Sequence, residues 1–598
     1  MNQRITAIVF LLTVMASGSS RALSLTDAAA LLSQSVSSAD EVLRKRAGRR
    51  RPGKEPPAEQ AEPEIDPARV MPVPAKTTGE FYAPVPDRWR IMESLGQQQN
   101  WWDPYNINTY KADKPLYDDW FLNILAISDT VIEPRSIPTP VGLQSTTDAG
   151  AIDIFGENDQ LIFAENLIVG AVYYKGNTVF RPPDWEYRLT LAFQYNRVEV
   201  DERRFLFVDP RFREETREDF HVGVQELFVD KHLRNVSTRY DFDSFRFGIQ
   251  PFSSDFRGFL FQDLQMGARL FGNRDNNKYQ YNLAWFRRLE KDLNTGLNDI
   301  EEGLRDDDVF IANVYAQDWP VLGFFSQATV VHNRNREDEF FFDENGFIAR
   351  PASLGNERPR NYDVTYLGFN GDGHFGRYNL TASAYLAVGD VEPAVFSDQK
   401  VDIEAAFVAA EAGADFDWVR LRLSALYASG DNDPFDDEAN GFDAIFENPI
   451  FAGADTSYWI RQTVPLVGGG IVTLSGRNSI LPSMRSSKEL GQSNFENPGL
   501  KLIGIGADLD LTPQTRLSFN VNQMWFDDTS ILEVARNQGP IDSELGLDVS
   551  AALIWRPFMS QNVVVRLSAA GMIPGEGFEQ LFGDEDHYSV LANIILAY

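Results

Sequence analysis

The chain has no cysteine among its 598 residues. It therefore holds no disulfide, no thiolate metal site and no covalently attached c-type haem. Histidine is nearly as scarce. The five histidines are His221, His232, His332, His374 and His587, and none stands at a metal-ligand or serine–histidine spacing. Nucleophile elbow, phosphate-binding loop and dinucleotide fingerprint are all missing, so the sequence reads as a non-enzyme. Beyond the first residues, no run approaches the roughly eighteen apolar residues of a membrane-crossing helix. Positive charge is in deficit too. Fifty-five Lys and Arg against 87 Asp and Glu leave a formal charge of −32, which repels phosphate and argues against nucleic acid as a partner.

What is present begins with "MNQRITAIVFLLTVMASGSSRALS": a basic start at Arg4, an apolar run from Ile5 to Ala16, and a small-x-small site at Ser20-Arg21-Ala22. Residues 1–22 read as a secretory signal peptide. Residues 23–50 read as a short helix, with Leu25, Ala28, Leu32, Ser35, Ala39 and Val42 at three-four spacing. A basic run, 44–54, ends it and offers a face to a periplasmic partner. Residues 51–78 form a Pro- and Glu-rich linker that buries no core. Residues 79–119, with "WWDPYNINTYKADKP", read as an ordered periplasmic lead-in.

From Trp120 onward the period changes to two. In "TRLSFNVNQMWF", Leu517, Phe519, Val521 and Trp525 alternate with Arg516, Ser518, Asn520 and Asn522. Such segments, each about ten residues long, have the length of a strand that crosses a bilayer at a tilt. Short turns are expected at Asn370–Gly376, Ala412–Asp417, Leu511–Gln514 and Arg556–Gln561. Longer polar stretches, among them Leu289–Asp307 and Ser429–Leu500, alternate with them. The fold class is all-β: residues 120–598 form a transmembrane antiparallel β-barrel of about 18 strands, in the range of roughly 16–20. The location is a bacterial outer membrane, among lipid and lipopolysaccharide. In the final stretch "HYSVLANIILAY", Tyr588, Ile594, Leu596 and Tyr598 share the lipid-facing side. A terminal aromatic with apolar residues two and four before it resembles the C-terminal signal read by the barrel assembly machinery.

The polar face of the strands lines the lumen. It carries Arg188, Arg246, Arg269, Arg420, Arg422, Arg516 and Arg566, with Asp402, Glu404, Asp508, Asp510 and Asp548 nearer the strand ends. Two readings stay open: an arginine stripe that favours anions, or cross-strand ion pairs that brace the wall. One segment, "YASGDNDPFDDEANGFDAIFENP", resembles the strand-end motif of alginate-export-type outer-membrane proteins through Ser429, Gly430, Asp431, Asp433, Pro434, Phe442 and Asp443. The resemblance implies an eighteen-stranded barrel with a basic pore that exports an anionic polysaccharide. Asp431, Asp433, Asp436, Asp437 and Glu438 form an acidic outer loop that binds Ca²⁺ at most loosely. The stretch from Gly430 to Leu500 is too long for a structureless connection, and Ser457–Gly476 is expected to fold into the channel or form an extra hairpin. The leading functional expectation is a porin-like channel for small, anion-biased solutes. The alternatives are an exopolysaccharide export conduit and a structural sleeve around partner proteins such as cytochromes.

Overall fold

The structure, a computed structural model, describes most of residues 108–598, with breaks at 140–156, 177–181, 203–204, 210–214, 240, 469–471 and 475, and a few positions between 91 and 103. The signal peptide, the N-terminal helix and the linker lie outside the described residues.

Eighteen strands close into one antiparallel barrel. The first nine are β1 (Trp120–Ser136), β2 (Asp159–Lys175), β3 (Trp185–Val200), β4 (Thr216–Asn235), β5 (Phe242–Ser253), β6 (Gln262–Arg274), β7 (Tyr279–Lys291), β8 (Asn298–Gln317) and β9 (Phe324–Asn335). The second nine are β10 (Asn361–Phe375), β11 (Tyr378–Glu392), β12 (Val401–Phe416), β13 (Val419–Ala428), β14 (Leu500–Thr512), β15 (Thr515–Trp525), β16 (Glu544–Trp555), β17 (Val563–Pro574) and β18 (His587–Ala597). Each pairs with its sequence neighbour, and β1 pairs with β18 from Ile127↔Ala597 to Arg135↔Ser589, so no edge is left unpaired. Below the end of β18 the lead-in takes its place beside β1: Ile124 N donates to Tyr110 O and Ala112 N to Leu122 O. Tyr598 sits on this junction, with Lys111 Nζ 4.2 Å from its ring centre.

One end of the barrel, here the terminal end, holds both ends of the sheet and connections of at most nine residues; the other, the loop end, holds all the longer ones. Two expected turns prove to be strand. β10 runs on to Phe375 and β12 to Phe416, leaving turns at 376–377 and 417–418, because the cross-strand ladders continue through Gly373↔Leu380 and Ala414↔Leu421. The Leu289–Asp307 stretch is likewise mostly strand; the true connection is 292–297.

Outward positions are apolar on strand after strand. Leu421, Leu423, Ile503 and Ile505 are 49 %, 55 %, 56 % and 60 % exposed. A ring of aromatic and large apolar side chains, including Trp120, Tyr187, Trp319, Tyr378, Trp418 and Trp555, borders this band at the terminal end. No helix among the described residues is long and apolar enough to cross a membrane.

Candidate functional site: a loop-filled lumen

Eighteen strands about 4.8 Å apart and tilted by about 40° enclose a ring roughly 36 Å across at the backbone, too wide for wall side chains to fill. The connection between β13 and β14, residues 429–499, enters this space. Phe442, Ala444, Ile445, Phe446, Tyr458, Trp459, Ile460 and Ile480 on it are buried. The shorter connection 254–261 folds inward to meet it, and Leu260 O accepts from Ile445 N and Phe446 N at 3.1 and 3.0 Å. Asp255 organises that shorter loop by accepting from the backbone amides of Arg257, Gly258, Phe259 and Leu260.

The apolar loop forces an inversion on the wall. Tyr362, Val364 and Tyr366 of β10 and Ile403, Ala405 and Phe407 of β12 face inward and are buried against it. Asp402 and Glu404, expected on the lumen face, are instead exposed on the outward face of β12 near its loop end. A lumen packed with apolar side chains would leave two such carboxylates unsolvated.

Polar anchors hold the loop around the ring. On β1, Glu133 accepts from Arg461 at 3.0 Å and Gln462 at 2.7 Å. On β6, Asp263 accepts from Arg477 at 2.7 Å. On β8, Arg305 donates to Glu489 O at 3.2 Å. On β10, Tyr366 OH donates to Asp443 O at 2.9 Å. A single-turn helix, α1 (Tyr458–Gln462), has Ser457 as N-cap, accepting from Ile460 N. Asp548 of β16 accepts from the Tyr458 and Trp459 amides, both at 3.1 Å, and from the Ser457 hydroxyl. Within the loop, buried Arg485 donates to Asp443 at 2.9 Å, to Ile445 O at 3.1 Å and to Ser493 Oγ at 3.0 Å.

The residues of the alginate-export-like motif form the neck through which this loop leaves β13. Ser429 Oγ donates to Asn440 O at 2.6 Å, Phe442 N donates to Ser429 O at 2.8 Å, and Gly430 N donates to Asp527 at 2.9 Å. Asp433 turns its carboxylate to the amide of Phe435, Pro434 lies between them, and Asp443 is the partner of Arg485. Asp431 is buried with one carboxylate oxygen unpaired. Burial, with the carboxylates of Glu496, Asp436 and Asp433 nearby, pushes its carboxyl up to about 8.

The seven arginines all point inward, and six meet carboxylates. Arg188 pairs with Glu186 and Glu226, Arg246 with Asp230, and Arg420 with Asp415. Arg422 pairs with Asp508, Arg516 with Asp510, and Arg566 with Asp455 of the loop. Arg269 differs. Its Nε donates to Asn282 at 2.7 Å and its guanidinium lies 4.5 Å from the ring centre of Phe271 and 5.3 Å from that of Phe252, with no carboxylate in ion-pair range among the described residues.

Arg269 opens on a cavity of about 500 Å³ between the loop and the β4–β8 wall. The cavity extends from Asn282 and Tyr315, toward the terminal end, to Lys291 and Gly296 at the loop end. Asn282 and Lys291 lie nine residue steps apart on β7, a climb of about 30 Å along the strand. Three cations, Arg269, Lys291 and Arg477, line it against one anion, Asp263. Lys291 and Arg477 both contact that aspartate at 2.7 Å. Lys291 and Arg477 escaped the sequence reading: Lys291 lies where a loop was expected, and Arg477 on a loop with no periodicity.

In the acidic stretch 431–438, Asp433 and Asp436 accept from the backbone amides of Phe435 and Glu438. Among the described residues, the carboxylates that do converge, within 4.8 Å, are Asp219, Asp292 and Glu344. Burial and mutual repulsion raise Asp292 and Glu344 above the usual carboxylate range, and buried Arg217 stands close enough to supply a positive charge. Among the described residues, one serine–histidine contact exists that spacing did not show. Ser136 Oγ and His587 Nδ1 are 3.0 Å apart, but both residues are buried and His587 Nε2 has no partner. A general base needs access to substrate and an orienting group, and this pair has neither.

No protein-family model and no curated protein matches the chain. Solved structures similar to it include OccK7 (OpdD) of Pseudomonas aeruginosa, at 10 % identity and a TM-score of 0.45, covering 80 % of this chain and 98 % of that one. OccK9 (OpdG) of the same organism gives 12 % and 0.43, with the same coverage. A BenF-like porin from Pseudomonas fluorescens Pf-5 gives 9 % and 0.42, covering 80 % and 99 %. Scores and identities this low assign neither family nor solute to the chain, and the alginate-export resemblance rests on the quoted loop residues alone.

Proposed function

We propose that the protein is a narrow, loop-constricted channel of a bacterial outer membrane, with the terminal end in the periplasm, passing small solutes with a bias toward anions. The observation that carries this reading is the cavity along β4–β8. It lies between the inserted loop and that wall, is lined by residues from both ends of β7, and its lining holds two more positive than negative groups. Arg269 sets the bias, because its charge is balanced by an amide and aromatic faces rather than by a carboxylate. Five of the paired arginines brace the wall and Arg566 meets the loop; with their carboxylates they add little net field. Apolar outward faces on strands of bilayer-spanning length support the membrane placement. A lumen already occupied by its own loop leaves no room for a folded partner, which weighs against a sleeve.

The test is single-channel conductance of purified protein in a planar bilayer under a salt gradient. A small, stable conductance with an anion-selective reversal potential is expected, and Arg269→Gln shifts that potential toward neutrality while leaving the barrel folded. Absence of conductance under all voltages would refute the channel.

A further inference from the structure

At the terminal end, the outward faces of β1–β4 carry one row of matched residues. Trp120 pairs with Lys175, Lys175 with Trp185, and Trp185 with Lys231, all at one level across four strands. Lys231 Nζ lies 4.0 Å from the ring centre of Trp185, and Lys175 Nζ 5.8 Å from that of Trp120. The next level adds Tyr173, stacked on Trp120 at 4.6 Å and 12°, and Tyr187, stacked on Trp185 at 6.1 Å and 9°. The Tyr173 hydroxyl is 2.6 Å from that of Tyr117. Neither ammonium has a carboxylate in ion-pair range among the described residues.

Elsewhere on the barrel, Lys400 pairs with Asp390 and Lys501 with Asp527. Lys175 and Lys231 have aromatic rings beside them instead of such a partner among the described residues. They sit where the apolar band gives way to the polar rim, the depth of lipid headgroups. The rings hold the lysine stems against the wall by cation–π contact, so little side-chain freedom is left to lose on binding. Lys175 and Lys231 stand two strands apart, about 10 Å at the backbone, a span across which two four-carbon side chains can meet a single phosphate.

We propose that this patch binds the phosphate of an anionic phospholipid, with Lys175 and Lys231 as its charge partners and Trp120 and Trp185 flanking the glycerol and upper acyl chains. The assignment rests on the membrane orientation proposed above, which puts the terminal end in the phospholipid leaflet rather than among lipopolysaccharide.

The experiment uses the full protein in detergent, titrated with phosphatidylglycerol or phosphatidylcholine and read by native mass spectrometry. Wild type should retain phosphatidylglycerol preferentially. Each ammonium near an anionic headgroup is worth about fivefold in affinity, so the double variant Lys175→Gln, Lys231→Gln should lower phosphatidylglycerol retention about twenty-five-fold and leave phosphatidylcholine unchanged. Lys400→Gln, at the loop end, should change neither. Brominated phosphatidylglycerol should quench tryptophan emission, and Trp120→Phe with Trp185→Phe should remove the saturable part of that quenching. Equal retention of the two lipids would overturn the site, as would no effect of the double variant, or displacement of phosphatidylglycerol by lipopolysaccharide at equal concentration. A protein that fails to conduct but keeps this lipid preference would sink the channel and spare the site.

Discussion

Within the inserted loop, one buried charge pair, Arg485 with Asp443, ties two distant stretches of it together, and removing one member tests whether the folded loop closes the lumen. Arg485→Met keeps the length of the side chain and deletes four donated hydrogen bonds, to Asp443, Ala444 O, Ile445 O and Ser493. Asp443, fully buried, is left with the amides of Asn494 and Ala444 at 2.8 and 2.9 Å and with Lys488 at 4.0 Å. Breaking a buried pair in this way costs about 3–5 kcal/mol. At about 1.4 kcal/mol per tenfold, the displaced loop becomes roughly a hundred to a few thousand times more populated. The barrel ladder is untouched, so the sheet stays folded. Single-channel records should then show bursts of high conductance, rising in frequency by that factor, and trypsin added from the loop end should cut at Arg461 or Arg477. Asp443→Asn added to Arg485→Met removes the stranded charge while keeping an acceptor for one of the two amides, and should recover part of the lost free energy. A burst frequency within threefold of wild type in Arg485→Met would refute the claim that this pair holds the loop.

Other outcomes follow from the same geometry. Asp431 carries a carboxyl raised to about 8 in the closed neck and an ordinary one, about 4, once released. The closed neck thus binds an extra proton between those values, so its stability is highest below about pH 4 and falls as pH rises toward about 8. Proteolysis of the loop should accelerate across that window, and Asp431→Asn should flatten the profile. Gly499 has φ +60°, and a β-carbon there would lie 2.4 Å from Gly430 N; Gly499→Ala should loosen the neck by about 1–3 kcal/mol, read as faster loop proteolysis at constant barrel melting. In reversal-potential measurements, Arg269→Gln should reduce anion preference more than Arg516→Gln, because the charge of Arg516 is already matched by Asp510 at 2.7 Å.

The barrel was legible because a strand that meets lipid on one side and polar surroundings on the other alternates strictly. Thr515–Trp525 is read directly from Leu517, Phe519 and Val521, and the first and last strands were placed by the same pattern. The contents of the lumen were not legible in that way. β12 has apolar residues at Val401, Ile403, Ala405 and Phe407 facing inward and at Ala406 and Val408 facing outward. A strand apolar on both faces marks a wall packed on both sides, and that signal was available and read instead as a polar lumen with Asp402 and Glu404 in it. Asp508 and Asp510 were on the lumen face by periodicity, but which arginine each meets, and the roles of Asp415 and Asp230, depend on a cross-strand register set by the closed sheet. The cavity depends on contacts between β6, β7 and a loop about two hundred residues away, and nothing local encodes it.

The seam between β1 and β18 has a consequence for how the molecule comes into being. Its partners, such as Ile127 and Ala597, stand at opposite ends of the barrel-forming chain, and joining them costs about 5 kcal/mol in loop entropy, to be recovered only by a complete ladder. Until then both strands offer open edges, each able to pair with another chain. The loop's seat is incomplete over the same interval, because Glu133 lies on β1 and Asp548 on β16. Sealing of the wall and seating of the loop therefore belong to one late step. A barrel arrested before that step would be leaky and adhesive at once, so the time spent there, more than the final stability, decides whether the chain matures or aggregates.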